Sequence, residues 1–75
     1  MNKSRRATLT MIANALEELK SRLETVRDEE QDAFDNMPES LQESERGEAM
    51  QEMIDNIDYA NDSLDDVISY ISEVI

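Results

Sequence analysis

The sequence contains no cysteine, no histidine and no tryptophan, one glycine and one proline, and its only aromatics are Phe34, Tyr59 and Tyr70. Without cysteine no disulfide can reinforce a small fold, and without cysteine or histidine zinc loses its thiolate and imidazole ligands. The same absence removes the usual general base and the strongest nucleophile. Carboxylate, serine and tyrosine remain, with little material to wall a pocket. No enzyme, cofactor, metal site or small-molecule substrate is expected. A helical di-iron site needs a Glu-x-x-His pair, which this composition cannot write. The carboxylates between Asp55 and Asp66 lack the central glycine of a calcium loop.

Basic charge is scarce too. Seven Lys and Arg stand against 19 Asp and Glu, for a net charge of −12. Such a surface repels nucleic acid and anionic membrane and attracts basic protein surfaces, so direct nucleic-acid binding is not expected. No apolar run approaches the roughly 20 residues of a membrane span. The basic segment Met1-Asn2-Lys3-Ser4-Arg5-Arg6 is not followed by the apolar core of a signal peptide. A cytoplasmic protein is the expectation.

A chain of 75 residues makes a single domain, 1–75. Below roughly 70–80 residues one core seldom supplies more than about 3–5 kcal/mol. With disulfides and zinc excluded, self-association is the remaining reinforcement, and a homodimer is expected. Abundant charge and few aromatics also raise disorder, but the apolar residues are too regular for that.

Leu9, Ile12, Leu16, Leu19, Leu23, Val26, Glu30, Ala33 and Met37 alternate spacings of three and four without a slip. They form a heptad seam of a and d positions, with Leu9, Leu16, Leu23, Glu30 and Met37 at a. Ser4 is a candidate N-cap, and the helix is expected over 4–35. The residue before Pro38 avoids the helical region, so a loop over 36–44 follows. Within it Ser40 and Glu43 have capping-box spacing and allow one isolated turn. Ser44 offers the next N-cap, for a helix over 45–74. Gly47 falls in its first turn, where its low helix propensity matters least. The second seam is Met50, Met53, Ile57, Ala60, Leu64, Val67, Ile71 and Val74, widened by Ile54, Ile68 and Ile75. This broad a/d/e stripe suits more than one neighbour. The short connection implies an antiparallel, coiled-coil-like hairpin. The expected fold is all-α: a two-helix hairpin that dimerises into a four-helix bundle. Its core and dimer residues are Leu9, Ile12, Leu16, Leu19, Leu23, Val26, Met53, Ile54, Ile57, Leu64, Val67, Ile68 and Ile71.

From Ser44 to Ile75 nine acidic residues accompany one basic residue, Arg46. Glu48, Glu52, Asp55, Asp62, Asp66 and Glu73, with Tyr59 among them, fall on one side of the second helix. They are the candidate partner-binding residues. Neighbours on a helix face lie about 5–6 Å apart, comparable to phosphates along one nucleic-acid strand. Such a row fits the basic groove of a DNA-binding protein, or it is a solvated face that keeps a small protein soluble. The Asp-, Asn- and Ser-rich outer face forms helix poorly alone, so packing must hold it.

Two seam positions are polar. Glu30 either sets register or lies solvated where the helices splay; Asn61 either sets register or sits at the rim. Phe34 is expected at the bundle end. Tyr59 and Tyr70 are either interface anchors or covers for the seam edge. Lys3, Arg5 and Arg6 are expected to complement the acidic far end of the second helix.

At Glu29-Glu30-Gln31, Asn36-Met37-Pro38-Glu39-Ser40-Leu41-Gln42 and Ser44-Glu45-Arg46-Gly47-Glu48 the chain resembles small acidic helical proteins encoded by tailed phages and prophages. The likeness covers most of the chain and carries over no functional residue. It implies a phage accessory or counter-defence role in the host cytoplasm, in which a DNA-mimic-like inhibitor occupies a basic protein. The second expectation is a structural or assembly module that docks a helix through Ile54, Ile68 and Tyr70.

Overall fold

The computed structural model describes residues 1–75 and contains three helices, α1 Lys3–Asp35, α2 Glu39–Gln42 and α3 Glu45–Val74, with no strand. The all-helical expectation holds, and α3 spans the range read from its seam. The first cap differs. Asn2, not Ser4, has the extended backbone of an N-cap, and its Oδ1 accepts the Arg5 amide at 2.8 Å. Arg5 is the third residue beyond Asn2, the amide an N-cap side chain ordinarily reaches, and Ser4 is already inside the helix.

The turn is assembled from local hydrogen bonds. Pro38 starts α2, and its carbonyl accepts the amides of Leu41 at 2.9 Å and Gln42 at 3.1 Å. No side chain caps this start. The expected Ser40–Glu43 capping box therefore does not form: Pro38 is the N-cap of α2, and Ser40 lies within the helix. Gln42 Nε2 donates to the Phe34 carbonyl at 2.9 Å and so closes the end of α1. Ser44 caps α3 as expected, accepting the Gly47 amide at 3.4 Å and donating its hydroxyl back to the Leu41 carbonyl. Gly47 is buried against this turn. A Cβ there would overlap the Gln42 carbonyl and stand 2.6 Å from the Leu41 carbonyl oxygen. Glycine is required by space, not by backbone angle.

Helices α1 and α3 lie side by side and antiparallel in an elongated body of 58 × 15 × 12 Å. The direction is fixed by two cross-helix ion pairs, Lys20–Asp65 at 2.7 Å and Arg27–Asp58 at 3.0 Å. Seven residues forward on α1 correspond to seven residues back on α3. The fully buried apolar residues are Ala13 and Ile54. Leu9, Leu16, Leu23 and Phe34 of α1 and Met50, Ile57, Leu64, Ile68 and Ile71 of α3 are all half-buried.

The contact runs along a different line from the a/d seam of the sequence. Positions a and e face the neighbouring helix; the e residues are Ala13, Lys20, Arg27 and Phe34 on α1, and Ile54, Asn61 and Ile68 on α3. Position d turns outward. Ile12, Leu19, Val26, Met53, Val67 and Val74 are 42 to 52 % exposed. The physical reason lies in Lys20 and Arg27, whose aliphatic stems cover the seam while their charged ends reach Asp65 and Asp58. Ala13, being small, lets the backbones approach at the same position.

Of the two polar seam residues, Glu30 is half-buried and makes no ion pair. Asn61 is 9 % exposed with its Oδ1 unpartnered, so it sits within the contact and not at its rim.

Two stability changes follow. Replacing a helical glycine by alanine ordinarily stabilises by about 0.5–1 kcal/mol, whereas overpacking costs about 1–3 kcal/mol. Gly47→Ala is therefore expected to lower the thermal midpoint followed by circular dichroism, and a raised midpoint would contradict the packing described. Asn61→Leu removes a buried acceptor whose desolvation costs about 1–3 kcal/mol. It is expected to raise the midpoint; a fall would mean that the amide has a compensating partner.

Candidate functional site

On α3 the spacing of Glu48, Glu52, Asp55, Tyr59, Asp62, Asp66 and Glu73 keeps all seven within about 40° of one line down the helix. All seven are exposed. The residues that contact α1, including Ile54, Ile57, Asn61 and Leu64, occupy the opposite side. The candidate row is therefore the outer back of the helix pair.

Ion pairing sorts the acids of α3 into two groups. Asp58 and Asp65 pair with Arg27 and Lys20. Glu45, Glu48, Glu52, Asp55, Asp62, Asp66 and Glu73 make no ion pair, so every carboxylate of the candidate row is unneutralised. Arg46, the one cation on α3, is exposed at its start and unpaired. No three carboxylates converge closely enough to hold a metal ion.

Both bridging cations are held more firmly protonated than usual. The Lys20 pKa is raised, first by its hydrogen bond to Asp65 and then by that to Glu24, 3.3 Å away on its own helix. Hydrogen bonding to Asp58 raises that of Arg27. A raised folded-state pKa on a cation means that its contribution is complete below the unfolded value and is lost as pH rises through the folded one. The Lys20 end of the bridge thus stays charged through neutral pH and discharges only in alkali.

The basic N-terminus does not complement the end of α3 as expected. Lys3, Arg5 and Arg6 make no ion pair. The level set by Lys20–Asp65 and Arg27–Asp58 brings Ile75 alongside Thr10. Residues 3 to 6 consequently project past the end of α3.

The apolar edge also needs correction. Ile54 is 2 % exposed, closed inside the contact, and Ile68, fourteen residues farther along α3, is half-buried. Ile54 therefore cannot receive another helix. Of that trio only Tyr70 stands clear, as does Tyr59, at 69 and 67 % exposed, while Phe34 is half-buried near the turn. The longest run of free apolar surface is the d stripe. On α3 it includes a shallow hollow of about 430 Å³ lined by Ala49, Glu52, Met53, Asn56, Ile57 and Ala60.

Sequence reasoning overlooked the bridging set Lys20, Arg27, Asp58 and Asp65, although a signal existed. Each helix carries its pair seven residues apart, on the same heptad position, with opposite signs. Comparison with protein-family models, with curated proteins and with solved structures finds no match for this chain.

Proposed function

We propose that this chain is a non-enzymatic binding protein whose acidic α3 face occupies the basic surface of a nucleic-acid-binding or defence protein, as an inhibitor resembling DNA in charge. The observation that supports this reading best is the unpaired, outward row Glu48, Glu52, Asp55, Tyr59, Asp62, Asp66 and Glu73. A face kept merely soluble usually interleaves both signs; this one carries a single sign from end to end. The resemblance to small acidic phage proteins gives such an inhibitor a setting, as a phage accessory or counter-defence factor in the host cytoplasm. In the same reading α1 and α3 form a hairpin, and two hairpins make a homodimeric four-helix bundle.

Neutralising Glu52, Asp55, Asp62 and Asp66 to Gln or Asn is expected to weaken partner binding by about tenfold or more, a loss on the order of 1.4 kcal/mol. Helix content should hold or rise, because like charges three and four apart repel. Affinity capture from host lysate, repeated at high salt, is the measurement. A partner retained by the neutralised variant at high salt would refute the reading. The dimer has a separate check: sedimentation equilibrium is expected to give twice 8.6 kDa, and a fully helical monomer would refute it.

The second reading, an assembly module, draws on the exposed d stripe. Capture would then be insensitive to salt and lost with Val67→Asp.

A further inference from the structure

Ile12, Leu19 and Val26 of α1 and Met53, Val67 and Val74 of α3 form a stripe that neither helix covers. The levels set by the two cross-helix ion pairs arrange it in layers. Ile12 stands beside Val74, Leu19 beside Val67, Val26 beside Ala60, and Ala33 beside Met53. Helical geometry puts both sets of d residues on the same side of the pair, opposite the side that carries Lys20–Asp65 and Arg27–Asp58. One long side is thus ion-paired and the other apolar. Scattered exposed apolar residues need no explanation, but a contiguous stripe of this length marks a contact surface.

The exposed area corresponds to one missing partner. Size scaling gives a compact monomer of 8.6 kDa roughly 4,700 Å² of accessible surface. This chain exposes 5614 Å². The surplus of about 900 Å² is close to the roughly 800 Å² that each partner buries in a standard interface.

We propose that a second copy of this chain covers the stripe, with the two-fold axis running along the helices, so that α1 of each copy lies over α3 of the other. This rests on the homodimeric reading above and, of the acidic row, engages Asp66 alone. The orientation comes from charge. Six of the seven basic residues, Lys3, Arg5, Arg6, Lys20, Arg22 and Arg27, lie on α1, and α3 has only Arg46 against nine acids. A two-fold axis across the helices would stack α3 on α3 and align two strongly anionic rods, whose repulsion grows as they approach. The axis along the helices alternates them with the less acidic α1. Arg22, which makes no ion pair, then flanks the stripe level with Ser63 of the other copy, within reach of its Asp66. At the open end Met11 and Tyr70, 72 and 69 % exposed, flank the stripe and meet across the interface as a sulfur–aromatic pair. The two acidic rows point outward from diagonally opposite corners of the bundle.

The absence of native cysteine permits a direct test by oxidative cross-linking of the full chain. Leu19→Cys and Val67→Cys, prepared separately and mixed, are expected to give several-fold more disulfide-linked dimer than either alone or than Leu19→Cys mixed with Val26→Cys. Dominant linkage between positions 19 and 26 would overturn the proposed axis, since that pairing belongs to the arrangement across the helices. Variants that sediment as dimers yet link in neither mixture would overturn the stripe as the interface. Helical variants that sediment as monomers, like the unsubstituted chain, would overturn the dimeric reading itself, a failure distinct from the other two. Positions 19, 26 and 67 are all exposed in the helix pair. Circular dichroism of each variant confirms that it folds before linkage is scored.

Discussion

Two helices that touch along one line can each cover only one side of the other. In this chain the covered side is the one defined by positions a and e, and its choice determines what the remaining surfaces do. It puts Ile54 and Asn61 inside, turns the d residues outward, and leaves the acidic back of α3 farthest from any neighbour. A wider body would have absorbed the d stripe into its core. The pair is only 15 by 12 Å across, which leaves almost no interior, and Ala13 and Ile54 are the whole of its fully buried apolar content.

The ion pairs take part in that choice without supplying much energy. Lys20 and Arg27 reach their carboxylates at the solvent edge, where screening and side-chain entropy consume most of the Coulomb gain. Their larger effect is geometric, since each stem lies along the seam and each charged end selects a residue on α3. They also divide the acids of α3 by role. Asp58 and Asp65 belong to the helix contact, and the acids of the outer row belong to the surface. A helix rich in Asp, Asn and Ser persists because the contact side, not the outer face, holds it.

Much of this was legible in the sequence. The bounds of α3 followed from Ser44 and the apolar period, the break at Pro38 from backbone sterics, and the outward acidic row from helical geometry alone. The choice of contact line was misread through the preference of sequence reasoning for the more apolar option. In α1 the e positions include Lys20 and Arg27 while the d positions are Ile12, Leu19 and Val26, so counting apolar residues favours d. What decided it was the length of the basic side chains and the opposite signs across the gap. Ile54 was read both as a core residue and as part of an outer apolar edge, and Asn61 as either a register or a rim residue; both lie inside the contact. The cap at Asn2 was missed because Ser4 has the same chemistry two residues later. The partner of the acidic row was not legible, because a sign and a spacing describe a surface without its complement.

The heptad that builds this contact leaves an ambiguity that only the turn removes. A sequence repeating every seven residues looks nearly the same after a slide of seven, so α3 displaced by one heptad would still offer apolar residues to Leu9, Leu16 and Leu23. The ion pairs break this degeneracy only in part, since a slide that destroys one of them lets the surviving cation meet the other aspartate. Gly47 cannot slide. It is wedged beneath the carbonyls of Leu41 and Gln42, while Ser44 is bonded on both sides of the same corner. The connection therefore acts as the origin of a ruler whose marks are otherwise identical. Lengthening it by seven residues would change which copy of the pattern is read, with every element of secondary structure left in place.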